Sequence, residues 1–289
     1  MDIYYIDGDY VAADEASIPV DDLAVLRGYG VFDFLRTYGG KPFFLKAHLE
    51  RLARSASLIG LDFSWTLDEL VELVMQTLRR NPHDESNIRI VLTGGSSDDF
   101  ITPQGRSRLI IMVTPLFKTP QWWYTNGVKI ITVSLERYIP DAKSINYIPA
   151  AIALKQASRQ NAVEAVYVDR DGFVLEGTTT NLFTFIDNKL VTPGTGILSG
   201  ITRQVTLSIA NGIYNTEIRD IKMDRLLHAS EVFLTASNKE IVPVIQVNDT
   251  LIGDGRPGER TRHIMKIFAE YTAEFAASHR VADFCVKEA

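Results

Sequence analysis

The stretch TPGTGILSGITR, residues 192–203, is a glycine-rich turn running into the start of an amphipathic helix. Gly194, Gly196 and Gly200 let backbone approach a ligand closely, and a helix N-terminus offers unpaired N–H groups at the positive end of its dipole. Together these make a site for a phosphate group. No Gly-Lys-Ser/Thr follows, so the turn is not a P-loop. On its own the segment also reads as a tight loop that caps an amphipathic helix.

Working outward, apolar spacing predicts the helix over residues 201–211, strands over 231–235 and 241–247, and a long helix from about 257 to 278. Before the turn, strands are expected at 128–134, 165–168, 181–186 and 189–191, with a helix at 150–159. The first half opens with a hairpin over residues 2–12, turning at Asp7-Gly8. A second strand pair spans 30–45 and turns at Gly39-Gly40. A helix over 47–59 buries Leu49, Leu52, Ala53, Ala56 and Ile59 and ends at Gly60. Another over 67–80 takes Thr66 as N-cap and stops at Asn81-Pro82. Strands at 88–93 and 109–114 flank a polar loop. Hairpins outnumber regular βαβ alternation, so the fold class is α+β with mixed or antiparallel sheets. The expected domains are 1–115 and 123–289, joined by a linker at 116–122.

With 46% hydrophobic and 23% charged residues, the 289-residue chain has an ordinary soluble composition. A net charge of −6 lacks the basic footprint of a nucleic-acid binder. The single cysteine, Cys285, excludes a disulfide within the chain. The N-terminus has no secretory pattern and no apolar run reaches the ~18 residues of a membrane span. These features favour a cytoplasmic protein without membrane contact, and no metal site is expected.

Five stretches in order resemble the class IV aminotransferases, pyridoxal 5'-phosphate (PLP) enzymes of fold type IV. They are HLERL (48–52), KSINY (143–147), EGTTTNLF (176–183), LSGITR (198–203) and, more weakly, TASNKEIVPV (235–244). The resemblance covers residues 2 to about 270. It implies a small N-terminal α/β sandwich, a larger C-terminal pseudo-barrel, and a homodimer. It implies that Lys143 carries PLP as a Schiff base and that Glu176 partners the pyridine nitrogen. Tyr147 would meet the phenolic oxygen and Leu198 would pack on the ring. Arg51, the Ile201 and Thr202 N–H groups, the Thr202 hydroxyl and Ser237 would hold the phosphate. Each assignment also suits the chemistry: PLP needs an amine, an acid for its ring nitrogen and an anion cradle. Taken alone, Lys143 would be one solvated lysine among many, Glu176 a turn residue before Gly177, and Arg51 an exposed helix arginine paired with an acid.

The same family holds branched-chain L-amino acid aminotransferases, D-amino acid aminotransferases and aminodeoxychorismate lyases. Relative to the branched-chain pattern, Phe34 replaces a glycine and Asn87 a tyrosine. The usual D-amino acid pattern has an arginine and a histidine where this chain reads SSDDFITPQG (96–105). The segment RGYG (27–30) resembles a less common D-specific group, in which an arginine from the neighbouring subunit, here Arg27, serves the substrate carboxylate. Arg89, Thr178, Asn238 and Lys239 are further substrate-side candidates. The expected reaction moves an amino group from a D-amino acid, such as D-alanine or D-glutamate, to a 2-oxo acid. A branched-chain aminotransferase, a PLP lyase and a PLP-carrying regulatory protein are the alternatives.

Overall fold

The computed structural model describes residues 1–278; Cys285 lies outside them. By internal contacts the chain groups into two units. One comprises Met1–Phe117, Asp141–Tyr147 and, among the described residues, 275–278; the other comprises Lys118–Pro140 and Ile148–Glu274.

In the first unit a hairpin of β1 (Ile3–Ile6) and β2 (Asp9–Ala12) leads to the short helix α1 (Leu23–Arg27). Then come β3 (Gly30–Tyr38), β4 (Lys41–Pro42), α2 (Leu45–Leu58), α3 (Leu67–Arg79), β5 (Ser86–Thr93) and β6 (Arg108–Pro115). The six strands form an antiparallel sheet in the order β2-β1-β6-β5-β3-β4. The second arm of the expected 30–45 pair is shorter than predicted. Phe44 turns the chain at a φ of 51°, and Leu45 already begins α2. Thr66 caps α3 as expected, in a capping box closed by Glu69. Leu49, Leu52, Leu70 and Val74 of the two helices pack on Val31, Leu35, Ile88, Ile90 and Leu92 of the sheet. Alternation along β3 sends Phe32, Phe34 and Arg36 to the opposite face.

The second unit begins with α4 (Trp122–Asn126), β7 (Val128–Ser134), α5 (Ile148–Arg159), β8 (Glu164–Val168), β9 (Phe173–Gly177), β10 (Asn181–Ile186) and β11 (Lys189–Thr192). It continues with α6 (Ile201–Ala210), β12 (Thr216–Ile218), β13 (Ile221–Lys222), α7 (Met223–Leu227), β14 (Glu231–Ala236), β15 (Glu240–Val247), β16 (Thr250–Leu251) and α8 (Glu259–Ala277). The mixed sheet runs β12-β11-β10-β14-β15-β7-β8-β9-β13, and β16 pairs with β15.

Along this path β14, β15, β7 and β8 separate β10 from β9, yet residues 178–180 alone connect them. Five strand spacings in a flat sheet would require about 24 Å. Four Cα steps reach at most about 14 Å. The sheet therefore curls strongly and brings its two ends together as a half-barrel, with Val128, Ile130, Val166, Leu182 and Leu234 among its buried residues. The sequence pattern does not reveal α1, α4, α7, β9, β12, β13 or β16. The omission of β9 matters, because Glu176 lies on that strand and not in a turn. Among the described residues no helix is long and apolar enough to cross a membrane.

Candidate active site

In the first unit the site is built on β3 and α2. Asp33 occupies an inward position of β3 between Val31 and Leu35, and all three are fully buried. A carboxylate there needs partners. α2 supplies them from His48 and Arg51, which share a helix face at i,i+3 spacing. Arg51 donates Nε–H to Asp33 Oδ2 at 2.9 Å and Nη2–H to Oδ1 at 2.8 Å. His48 Nδ1 lies 2.6 Å from Oδ1. An ionised carboxylate only accepts, so Nδ1 carries the proton. Burial pushes the Asp33 carboxyl up, but the Arg51 charge and the hydrogen bonds from Arg51 and His48 outweigh it and hold it far below the usual carboxylate range. Burial is also the largest influence on His48; it lowers the imidazole's pKa against the opposing pull of Asp33. Arg51 is therefore a buried arginine fixed by an acid, not an exposed one.

The KSINY segment is stitched along β3. Phe32 N–H donates to Lys143 O at 2.9 Å, Ile145 N–H to Gly30 O at 3.0 Å, and Lys143 N–H to Ser55 Oγ at 3.0 Å. Gly30 permits this approach: a Cβ there would stand 2.7 Å from Leu92 O and 3.0 Å from the Ile145 side chain. Lys143 is half-buried, with Nζ 4.8 Å from the centre of the Phe32 ring. Tyr147 meets the same ring edge-on at 5.4 Å. Arg89, opposite Phe34 in the β3–β5 register, lies 5.3 Å from the Phe32 ring centre and 5.2 Å from that of Phe34. Lys143, Tyr147 and Arg89 thus gather around one aromatic surface. Arg27 ends α1 on the exterior, where its Nη1 donates to Leu26 O at 2.8 Å.

In the second unit Glu176 is buried on β9. Its Oε1 accepts from Arg137 Nε at 2.9 Å and Nη2 at 2.6 Å. Its Oε2 accepts from Leu198 N–H at 3.0 Å and Asn181 Nδ2 at 3.3 Å. The Gly-rich turn is thereby tied to the acid. Arg203 pins the turn from the helix side, donating Nη2–H to Pro193 O at 2.9 Å and Nε–H to Thr192 Oγ1 at 3.1 Å. Gly200 is the N-cap of α6 and provides no side-chain hydrogen bond, while Leu198, Ile201 and Thr202 are buried beside it. A Cβ on Gly200 would fall 2.0 Å from Asn181 Oδ1.

The TTT link is organised by Glu164, a buried carboxylate at the start of β8. It accepts the hydroxyl of Thr178, that of Thr179 at 2.8 Å and that of Thr180 at 3.3 Å. Lys239 Nζ donates to Thr179 Oγ1 at 2.7 Å and lies 3.7 Å from Glu164 Oε2. Ser237, Asn238 and Lys239 form the half-buried turn between β14 and β15. The sequence reading assigned no role to Asp33, His48, Arg137, Glu164 or Asn181. Asp33 had a local signal, a charge at an inward position of an apolar strand. Arg137, 39 residues from Glu176, had none.

A lysine beside an aromatic wall, a buried acid held by an arginine, and an uncapped helix start behind a Gly-rich turn offer an amine, an acid and an anion cradle, the groups that PLP needs. Residues 30–247 match the family model for amino-transferase class IV, and the chain belongs to that family. It is 34% identical over 277 residues to a Methanocaldococcus jannaschii protein provisionally assigned as a branched-chain-amino-acid aminotransferase, covering 92% of this chain and 95% of that one. It is 32% identical over 279 residues to the D-alanine aminotransferase of Staphylococcus aureus, covering 94% and 98%. A solved branched-chain amino acid aminotransferase from T.th., with pyridoxamine 5'-phosphate, superposes with a TM-score of 0.88 at 26% identity, covering 94% of each chain. The protein is a PLP-dependent aminotransferase with the mixed α/β fold and half-barrel sheet of fold type IV.

Proposed function

We propose that this aminotransferase takes a D-amino acid, such as D-alanine or D-glutamate, as donor and a 2-oxo acid as acceptor, in a ping-pong reaction. The carrying observation is the surface on which Lys143 Nζ and Arg89 both lie against the Phe32 ring, with Phe34 beside Arg89. Arg89 is a fork suited to a carboxylate, and Phe34 narrows the room for a branched side chain. Arg27, on the exterior, is the second carboxylate candidate, offered to a neighbouring subunit of a homodimer. Thr178, Asn238 and Lys239 complete the substrate set.

When bound, PLP supplies an electron sink for the bond broken at the substrate Cα. Lys143 holds the cofactor and then moves the proton from Cα, first as base and then as acid. Glu176, fixed by Arg137, would accept from the ring nitrogen. Tyr147 would donate to the phenolic oxygen, and Leu198 would pack on the ring. Arg51, the first-turn N–H groups and hydroxyl of α6, and Ser237 would hold the phosphate. The branched-chain reading is the competing one, favoured by the M. jannaschii relative; an aminodeoxychorismate-type lyase is a more distant alternative.

Paired L- and D-amino acids mixed with the purified enzyme, with the cofactor's visible band followed in a single turnover, test the choice. D-alanine or D-glutamate should consume the band faster than L-leucine. If L-leucine outpaces every D-amino acid tried, the branched-chain reading takes its place. Arg27→Ala should raise the D-substrate concentration needed for half-conversion, with little change in PLP binding.

A further inference from the structure

Thr235, near the end of β14, is 2% exposed. Its hydroxyl oxygen is buried without a hydrogen-bond partner. Buried hydroxyls seldom go unpaired, and an orphan points to a ligand. Nothing in the packing asks for the oxygen. Phe233, two residues earlier on the same face of β14, stacks on Phe183 of β10 at 5.0 Å, so valine would fill the position equally well.

The register shows where this hydroxyl sits. Thr235 is paired directly with Asn181 across β14 and β10. Directly opposed residues of an antiparallel pair project from the same face. The Asn181 side chain lies under the start of α6: Nδ2 donates to Leu198 O at 2.9 Å, and Oδ1 occupies the space that a Cβ on Gly200 would need. Thr235 is therefore a cross-strand neighbour of the residue that supports the helix N-cap. That helix is ten residues long, and no side chain caps it.

We propose that Thr235 is a further ligand of the phosphate at the α6 N-terminus, donating its hydroxyl to a phosphate oxygen. The inference rests on the assignment of α6 as the phosphate cradle. A hydrogen bond to a doubly charged group outweighs the cost of leaving the hydroxyl unpaired in the apo protein.

The test titrates apo protein with PLP and with pyridoxal, which lacks the phosphate, in the wild type, Thr235→Val, Thr235→Ser, Thr235→Ala and Thr202→Val. Thr235→Val should weaken PLP about tenfold or more and leave pyridoxal within about twofold. Thr235→Ser should keep wild-type affinity, and Thr235→Ala repeats the deletion should the valine variant fail to fold. The 31P resonance of bound PLP should shift in the valine variant and not in the serine variant. Apo Thr235→Val should melt no lower than the apo wild type. If Thr202→Val weakens PLP while both Thr235 deletions leave it unchanged, Thr235 is no ligand and the cradle stands. If no variant alters PLP relative to pyridoxal, the cradle is misassigned and the Thr235 inference falls with it.

Discussion

At the scale of single residues, two buried carboxylates and their cations define the chemistry. Asp33 fixes Arg51, and Arg137 fixes Glu176, so these two side chains, both proposed for the cofactor, are oriented by the protein itself. Preorganisation of this kind removes ordering costs from binding. Lys143→Ala should abolish steady-state transamination while the fold survives, because its backbone amide and carbonyl still bond to Ser55 and Phe32. Borohydride reduction of the wild type should fix the cofactor onto Lys143, and labelling of another lysine would exclude the assignment. His48 gives a pH signature. Its pKa is lowered in the folded protein, so below about pH 6.5 the unfolded chain takes up a proton that the folded one refuses. Folded stability from this group is thus full above that pH and declines beneath it. Asp33 adds its own loss only below about pH 4, where the unfolded carboxyl begins to protonate. The stability of the wild type relative to His48→Gln should stay level above about pH 6.5 and fall as the pH drops below it. A flat difference from pH 5 to 8 in thermal melts would show that His48 is not held neutral.

At the scale of elements, the turn before α6 and the link between β9 and β10 are held by buried carboxylates rather than by their own local bonding. Glu176 accepts Leu198 N–H, and Glu164 gathers the hydroxyls of three successive threonines. Gly200 has ordinary helical-entry backbone angles, so space, not φ, demands glycine there. Gly200→Ala should push the α6 start off Asn181 and weaken PLP retention about tenfold or more, a loss of one charge-assisted contact. Thr66→Ala offers the contrast. It breaks the capping box of α3 and should cost about 1 kcal/mol of stability. Activity per folded molecule should remain at the wild-type level. Equal loss of activity in both variants, measured at matched folded fraction, would show that the α6 start has no special part in cofactor binding.

At the scale of the whole molecule, each unit carries its own group of the residues proposed for the cofactor and substrate. Lys143, Tyr147, Arg51 and Arg89 belong to the first unit, and Glu176, the α6 start and the Ser237 turn to the second. The strong curl that a three-residue link forces on the large sheet brings β9 and β10 side by side, and with them Glu176 and Asn181. Val25, Leu26 and Arg27 of α1 are exposed in the single chain. Together with the Arg27 assignment, this favours a homodimer as the working unit. Light scattering at assay concentration should give twice the chain mass, and a fully active monomer would remove Arg27 from the substrate set.

The local sequence by itself determined most elements, the glycine-rich turn into α6 over residues 192–203 and, through five ordered stretches, the cofactor class. Periodicity and turn chemistry are properties of neighbouring residues, and the Thr66 cap, the β1–β2 hairpin and the α6 start all followed from them. Only the tertiary structure decided which charges meet. Asp33 reaches Arg51 18 positions away, and Glu176 reaches Arg137 39 positions away. Glu176 was legible as a motif residue but not as part of a strand, since a charged side chain interrupts the apolar pattern of β9 and its partner is remote. The physical reason is common to both pairs. A carboxylate can be buried only if a cation and N–H groups are brought to it, and strand order, register and helix placement decide which ones arrive.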